Sequence, residues 1–304
     1  MNSQFVLHLI KWRILKVKFL TKKSKRLFGI AVLTNLPVPM GIHLNSSASI
    51  RLSLVMTSFR LSKSFFANGC FPRGCNSSFI ALILKIQDAK FVKDFRPISL
   101  IGSTYKIISK ILANRLCLVL PDLISDVQSA FVANRQILDG PFILNELMSW
   151  CKHTKFKGMI FKVDFEKAFD SVKWDYLDET LKSFGFGLKW RNWISGCLNN
   201  AKGSVLVNGN PTKEFQFFKG LKQGDPLSPF LFILIMETLH LSFKRIINAG
   251  LYRGISINGS LMLSHLFYAD DVVFVSEWKD SNIHILLNVL KCFFLASGLK
   301  INHF

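Results

Sequence analysis

The sequence predicts an α+β fold carrying an antiparallel sheet, and three observations lead there. Helical spacing comes first along the chain, followed by strand, helix, hairpin, helix and hairpin. Asn208-Gly209 sits between two strand-like segments, and that dipeptide accommodates the positive φ angles of a type I′ turn. Ala269-Asp270-Asp271 likewise separates the apolar runs 263–268 and 272–276.

Residues 1–60 are basic, serine-rich towards their end and interrupted by Leu36-Pro37-Val38-Pro39. They show no helical or strand period and stand as an unassigned basic N-terminal extension. Residues 79–86 read as a buried strand. Asp94-Phe95-Arg96-Pro97-Ile98-Ser99-Leu100 reads as extended, because Pro97 drives Arg96 out of the helical region. Ile107, Ile108, Ile111, Leu112 and Leu116 mark an amphipathic helix over 105–120 stopped at Pro121, and a second helix follows over 136–151. Across 159–165, strand alternation puts Ile160, Lys162 and Asp164 on one face and Phe161, Val163 and Phe165 on the other. A helix capped by Asp170 or Ser171 then turns Trp174, Leu177 and Leu181 inward and ends near Gly185. Segments 204–207 and 212–217 flank the Asn-Gly turn. Ser228 caps and Pro229 opens a long helix that runs to Gly250.

Composition narrows the function. Half of the 304 residues are hydrophobic and 29 are Phe, which excludes wholesale disorder. The net charge of +20 is uneven: residues 1–87 hold 13 Lys/Arg and no acid. Such a surplus favours polyanionic partners, since each phosphate neutralised releases condensed counterions. The six cysteines form no CxxC pair, and no histidine tract supports Cys70 and Cys75 as a zinc site, so a reduced, intracellular, non-secreted chain fits. The longest apolar run, 230–236, falls far short of the roughly 20 residues that cross a bilayer. Residues 5–20 are apolar but studded with Lys11, Arg13, Lys16 and Lys18; they form either a targeting or membrane-surface helix or part of the basic extension.

The chemistry concentrates in acids. Asp270 and Asp271 sit at a tight turn between apolar strands, where adjacent Asp residues are often no more than solvated turn formers. Asp164 closes a strand that is apolar on its other face. If the two segments are neighbours in one sheet, three carboxylates meet at one edge, where like charges repel unless divalent cations bind. Hard oxygen donors suit Mg²⁺ or Mn²⁺, and two such ions about 3.5–4 Å apart activate a hydroxyl and stabilise a leaving phosphate.

The strings Phe161-Lys162-Val163-Asp164-Phe165-Glu166-Lys167-Ala168-Phe169-Asp170, Gly220 to Pro229 (GLKQGDPLSP) and Phe267-Tyr268-Ala269-Asp270-Asp271 resemble the three central motifs of a reverse transcriptase. DFRPISL (94–100), ILANRL (111–116) and QSAFVANRQILDG (128–140) are similar to the fingers of that family, nearest its LINE-type, non-LTR retrotransposon branch as found in plant genomes. The resemblance implies a right-hand polymerase: a domain over 61–304, with 61–155 mostly fingers and 156–304 mostly palm around an antiparallel sheet. It implies Asp164, Asp270 and Asp271 as catalytic metal ligands for two Mg²⁺ or Mn²⁺ ions. Phe169 matches the gate that rejects a 2′-hydroxyl, or else it is a core aromatic. Gln223 and Gly224 match the loop against the incoming nucleotide and template base. Arg96 matches a triphosphate-holding arginine, or forms an ordinary surface ion pair. Lys106 and Lys110 lie along template phosphates or on a solvated face, and Lys222 stands where a nucleic-acid-facing arginine is usual.

The implied reaction is attack of a DNA primer 3′-hydroxyl on the α-phosphate of a dNTP, directed by an RNA template. Neither a membrane nor a stable protein partner enters this reading, and nucleus or cytoplasm is the implied compartment. Against the family pattern, Leu84 replaces a usual proline, no endonuclease domain is legible, and the palm stops at its next motif with the thumb missing. That pattern implies a truncated copy, for which a catalytically inactive, nucleic-acid-binding remnant is the alternative. A metal-dependent nuclease sharing the acidic cluster is a third.

Overall fold

A computed structural model describes residues 48–257 and 261–302 of the chain. Most of the basic extension, including Phe5 to Leu20, lies outside the described residues.

In chain order the elements are helix α1 (Ala48–Asn68), strands β1 (Ser77–Leu84) and β2 (Phe95–Ile101), and helices α2 (Ser103–Cys117) and α3 (Asp139–Thr154). Strand β3 (Gly158–Val163) and helices α4 (Trp174–Ser183) and α5 (Leu188–Leu198) follow. Next come β4 (Lys202–Val207), β5 (Asn210–Pro211), β6 (Phe215–Gln216) and α6 (Ser228–Asn248). The chain closes with β7 (Ile255–Ile257), β8 (Leu261–Leu263), β9 (His265–Tyr268), β10 (Asp271–Glu277) and α7 (Asp280–Ser297). The mixed α+β class stands.

Contacts divide these elements into two interleaved compact units, one holding 48–116 and Gly185–Ser228, the other Cys117–Phe184 and 229–302. This division differs from a single boundary after residue 155. Its cause is β4, which pairs in parallel with β1 (Ser77↔Lys202 to Ile80↔Val205) and so carries the Asn-Gly hairpin into the first unit.

In the first unit the sheet runs β2-β1-β4-β5, with β6 also on β4. The hairpin is the expected one: Asn208 and Gly209 both have positive φ, at 49° and 81°. Strand β1 is not the buried strand the sequence suggests, because Phe79, Ile83 and Leu84 are each at least half exposed. Helix α5 presents Trp190, Trp193, Ile194 and Cys197 inward. Its Trp193 indole donates to the Phe66 carbonyl of α1 at 3.1 Å, and its Gly196 lies so close to the Gly69 carbonyl that an added β-carbon would overlap it.

In the second unit an antiparallel sheet runs β3-β10-β9, and β7-β8 form a separate ribbon. Helix α6 is buried on every side from Leu231 to Met236, as a central core helix must be. Phe243 of α6 packs on Phe274 of β10 at 4.3 Å between ring centroids, and burying each such ring contributes about 2–3 kcal/mol. The short helical turn Ala168–Ser171 displaces the expected cap: α4 starts after Lys173, and the Ser171 hydroxyl donates instead to the Glu166 carbonyl.

Both edges of the three-stranded sheet are covered at one end. Asn302 N–H donates to the Asp164 carbonyl at 2.9 Å and Glu166 N–H to the Lys300 carbonyl at 2.8 Å. On the opposite edge Phe267 N–H donates to the Val127 carbonyl at 2.8 Å and Ser129 N–H to the Phe267 carbonyl at 3.0 Å. Paired in this way, neither edge offers free ladder groups there.

Candidate active site

The register of β3 against β10 brings the acids together. Val163 pairs with Val272 and Lys162 with Val273, so Asp164 and Asp271 follow and precede one directly opposed pair. Side chains opposite each other in an antiparallel ladder share a face. Val163 and Val272 point into the core, both fully buried, whereas Asp164 and Asp271 are exposed. Tyr268 pairs with Asp271, leaving Ala269 and Asp270 as a two-residue turn. Ala269 takes φ +52°, a left-handed conformation that costs a β-carbon-bearing residue about 1–2 kcal/mol.

The electrostatics are those of a crowded anionic site. Burial first, and then the charges of Asp271 and Asp164, hold the Asp270 carboxyl above the usual carboxylate range. Lys162, on the same face, bonds Asp271 Oδ1 at 2.9 Å, and that bond raises the lysine's own pKa. Asn302 Nδ2 donates to Asp164 Oδ2 at 2.9 Å. Gln128, buried among Val127, Ala130 and the β9 edge, accepts the Ala269 N–H on Oε1 at 3.0 Å. Sequence reasoning missed these last two, although both fall inside or beside motifs it marked.

Among the described residues no three His, Cys, Asp or Glu side chains stand grouped as a metal-holding cluster. The donor set nevertheless suits Mg²⁺, which binds through one or two carboxylates plus water and substrate phosphate rather than in an all-protein cage. Asp164 and Asp270 would supply two such carboxylates, and Asp271 is paired with Lys162.

Phe169 belongs to this unit. Its half-buried ring stacks on the fully buried Phe232 of α6 at 4.7 Å and 15°.

The other predicted residues lie in the other unit. Arg96 is exposed on β2, and Lys106 and Lys110 are exposed one helical turn apart on α2. The Gln223 carbonyl accepts Ser99 N–H of β2 at 2.8 Å. Gly224 takes φ +94°, and an added β-carbon would sit 3.2 Å from the Ser99 carbonyl, so the loop needs glycine for its own path along β2. Asp225 is buried, accepting from Tyr105 Oη at 3.2 Å and Leu227 N–H at 3.1 Å, and burial raises its pKa.

Lys222 corrects the sequence reading. It is buried rather than nucleic-acid-facing: Nζ donates to Asn76 Oδ1 at 2.8 Å and lies 4.0 Å from the Tyr105 ring centroid. Loss of hydration pulls its pKa down to about 8. The charge is spent on holding the loop, not displayed.

The profile of the family described as reverse transcriptase (RNA-dependent DNA polymerase) matches residues 83–303. The chain is 33% identical over 213 residues to the transposon TX1 uncharacterized 149 kDa protein of Xenopus laevis, covering 70% of this chain and 16% of that protein. It is 27% identical over 276 residues to the retrovirus-related Pol polyprotein from type-2 retrotransposable element R2DM of Drosophila melanogaster, covering 89% of this chain and 24% of that one. The chain thus spans a quarter or less of the length of these relatives. A solved structure of telomerase from Candida albicans, in complex with a fragment of telomeric RNA, shares the fold with a TM-score of 0.52 at 12% identity, over 80% of this chain and 44% of that one. With its matched profile, its relatives and its acidic sheet edge, the chain belongs to the reverse transcriptase family of RNA-dependent DNA polymerases.

Proposed function

We propose that this chain is the fingers and palm of a LINE-type, non-LTR retrotransposon polymerase that adds dNMP units to a DNA primer on an RNA template. The observation that carries the reading is the β3–β10 register, which sets Asp164 beside the Asp270–Asp271 turn. Asp164 and Asp270 would hold Mg²⁺ or Mn²⁺. When bound, these ions supply Lewis acidity at the primer hydroxyl and the α-phosphate. Asn302 orients Asp164 through Oδ2, and Lys162 tempers the charge of Asp271. Phe169, backed by Phe232, screens the sugar; Arg96 engages the triphosphate with its planar fork; Gln223 and Gly224 line the nucleotide and template base. Lys106 and Lys110 track template phosphates. Positioning and charge neutralisation, rather than a covalent intermediate, are what these groups contribute.

The test is Mg²⁺-dependent extension of a DNA primer annealed to RNA by the purified chain. Asp270→Asn should abolish extension, and equal activity in that variant would refute the assignment. A second reading, nucleic-acid binding without catalysis, draws on the exposed Lys106 and Lys110 and the net charge of +20. It expects salt-sensitive binding that survives Asp164→Asn, with no extension by the parent chain.

A further inference from the structure

The turn bearing Asp270 is strained at Ala269 and held from outside its own hairpin. Gln128 reaches it across 141 residues of sequence. Its Oε1 accepts two backbone N–H bonds at 3.0 Å, from Ala130 in its own loop and from Ala269 in the turn. The residue is 2% exposed, and among the described residues Nε2 finds no partner. An apolar side chain of the same length would fill this space without burying an unpaired amide nitrogen, whose desolvation is unfavourable. The oxygen is therefore what the site uses.

The loop presenting Gln128 is itself fixed. The Arg135 guanidinium donates to the carbonyls of Ile124 at 2.9 Å and Gln128 at 2.6 Å, and the Glu237 carboxylate of α6 accepts Ser125 N–H at 3.2 Å and Oγ–H at 3.0 Å. A continuous hydrogen-bonded path thus runs from the core helix through residues 124–129 to the residue before Asp270.

We propose that Gln128 is a positioning residue for the catalytic turn: its amide oxygen holds Ala269 in the left-handed conformation that aims the Asp270 carboxylate. Its consequence for turnover rests on the polymerase reading above; its consequence for the turn does not. Gln128→Met removes the acceptor and keeps the length, whereas Gln128→Glu keeps an acceptor and buries a charge. In primer extension, Gln128→Met should lower kcat ~10–100-fold, as loss of ligand-orienting groups commonly does, with KM for dNTP little changed. Gln128→Glu should recover most of that loss. A merely structural residue gives the opposite order, because the apolar isostere packs better than a buried carboxylate.

Amide hydrogen exchange supplies the second readout. Gln128→Met should speed exchange at Ala269 and Asp270 far more than at the β3 amides, beyond the general loosening expected from two stranded N–H groups. Unchanged exchange at the turn, or Gln128→Met outperforming Gln128→Glu, overturns the proposal. If the parent chain extends no primer, the polymerase reading fails by itself, and the exchange comparison still decides whether Gln128 holds the turn.

Discussion

Two buried histidines make stability depend on pH in a direction that can be worked out. His240 Nδ1 lies 2.7 Å from His265 Nε2, and His265 Nδ1 lies 2.9 Å from Ser264 Oγ, within the aromatic surroundings of Phe243 and Phe267. One shared hydrogen between the rings suits two neutral imidazoles, whereas two imidazolium N–H groups would face each other. Burial lowers His240 to about 4 and, with the neighbouring His240, His265 to about 3, from an ordinary 6.5. Their stabilisation is full above the unfolded value and is lost as pH falls towards the folded ones; for His240 the whole loss is about 3 kcal/mol. Glu237 opposes this, since burial raises it to about 7 from 4.5, and its contribution fades as pH rises through that window. At about pH 5 the unfolded chain holds two protons that the folded histidines refuse, and the folded chain holds one at Glu237. The net slope is about 1.4 kcal/mol lost per unit of acidification. Urea midpoints followed by tryptophan fluorescence measure it. Glu237→Gln should double the slope to about 3 kcal/mol per unit, and the double variant His240→Phe with His265→Phe should reverse its sign. A double variant that still loses stability on acidification at the parent's slope would refute the reasoning.

Three further outcomes follow from individual contacts. Asn302→Ala should raise the Mg²⁺ concentration needed for half-maximal extension ~10–100-fold, because Asp164 loses the donor that orients Oδ2, with little change in unfolding. Gly224→Ala should cost about 1–2 kcal/mol in urea denaturation, since the +94° φ and the Ser99 carbonyl both disfavour a β-carbon. Lys106→Ala and Lys110→Ala should each lower the salt slope of RNA binding by roughly 0.7–0.9, while Lys222→Met leaves that slope unchanged and lowers stability by about 1–3 kcal/mol through the stranded Asn76 oxygen. A Lys222→Met variant whose salt slope falls like the others would restore that lysine to the nucleic-acid face.

What the sequence disclosed depended on the range of the interaction. Asn208-Gly209 is decided by local sterics, so its hairpin is legible in two letters. The alternation that opposes Asp164 to Val163 is also local, and the structure keeps it. Two helices that escaped notice were legible as well: Trp190, Trp193, Ile194 and Cys197 in α5, and Leu286, Val289, Leu290 and Phe293 in α7, both follow the i, i+3, i+4, i+7 spacing of a buried stripe. Strand β1 and Lys222 are different. Nothing near Phe79 announces that its apolar run stays half exposed, because burial of a strand face is decided by what packs on it. Nothing in Gly220-Leu221-Lys222-Gln223 announces an inward lysine either. That lysine is buried because Asn76, 146 residues earlier, offers Oδ1 while spending its own amide on the carbonyls of Cys197 and Asn199 at 3.3 and 3.1 Å. A partner at that distance exists only once β1 has paired with β4. The same holds at the acids: the register of β3 on β10 sets Asp164 beside Asp271, and a one-residue slip would turn Asp164 into the core and Val163 out to solvent. Val163 and Val272, both fully buried, forbid that slip, so the apolar residues beside the acids are what keep the acids together.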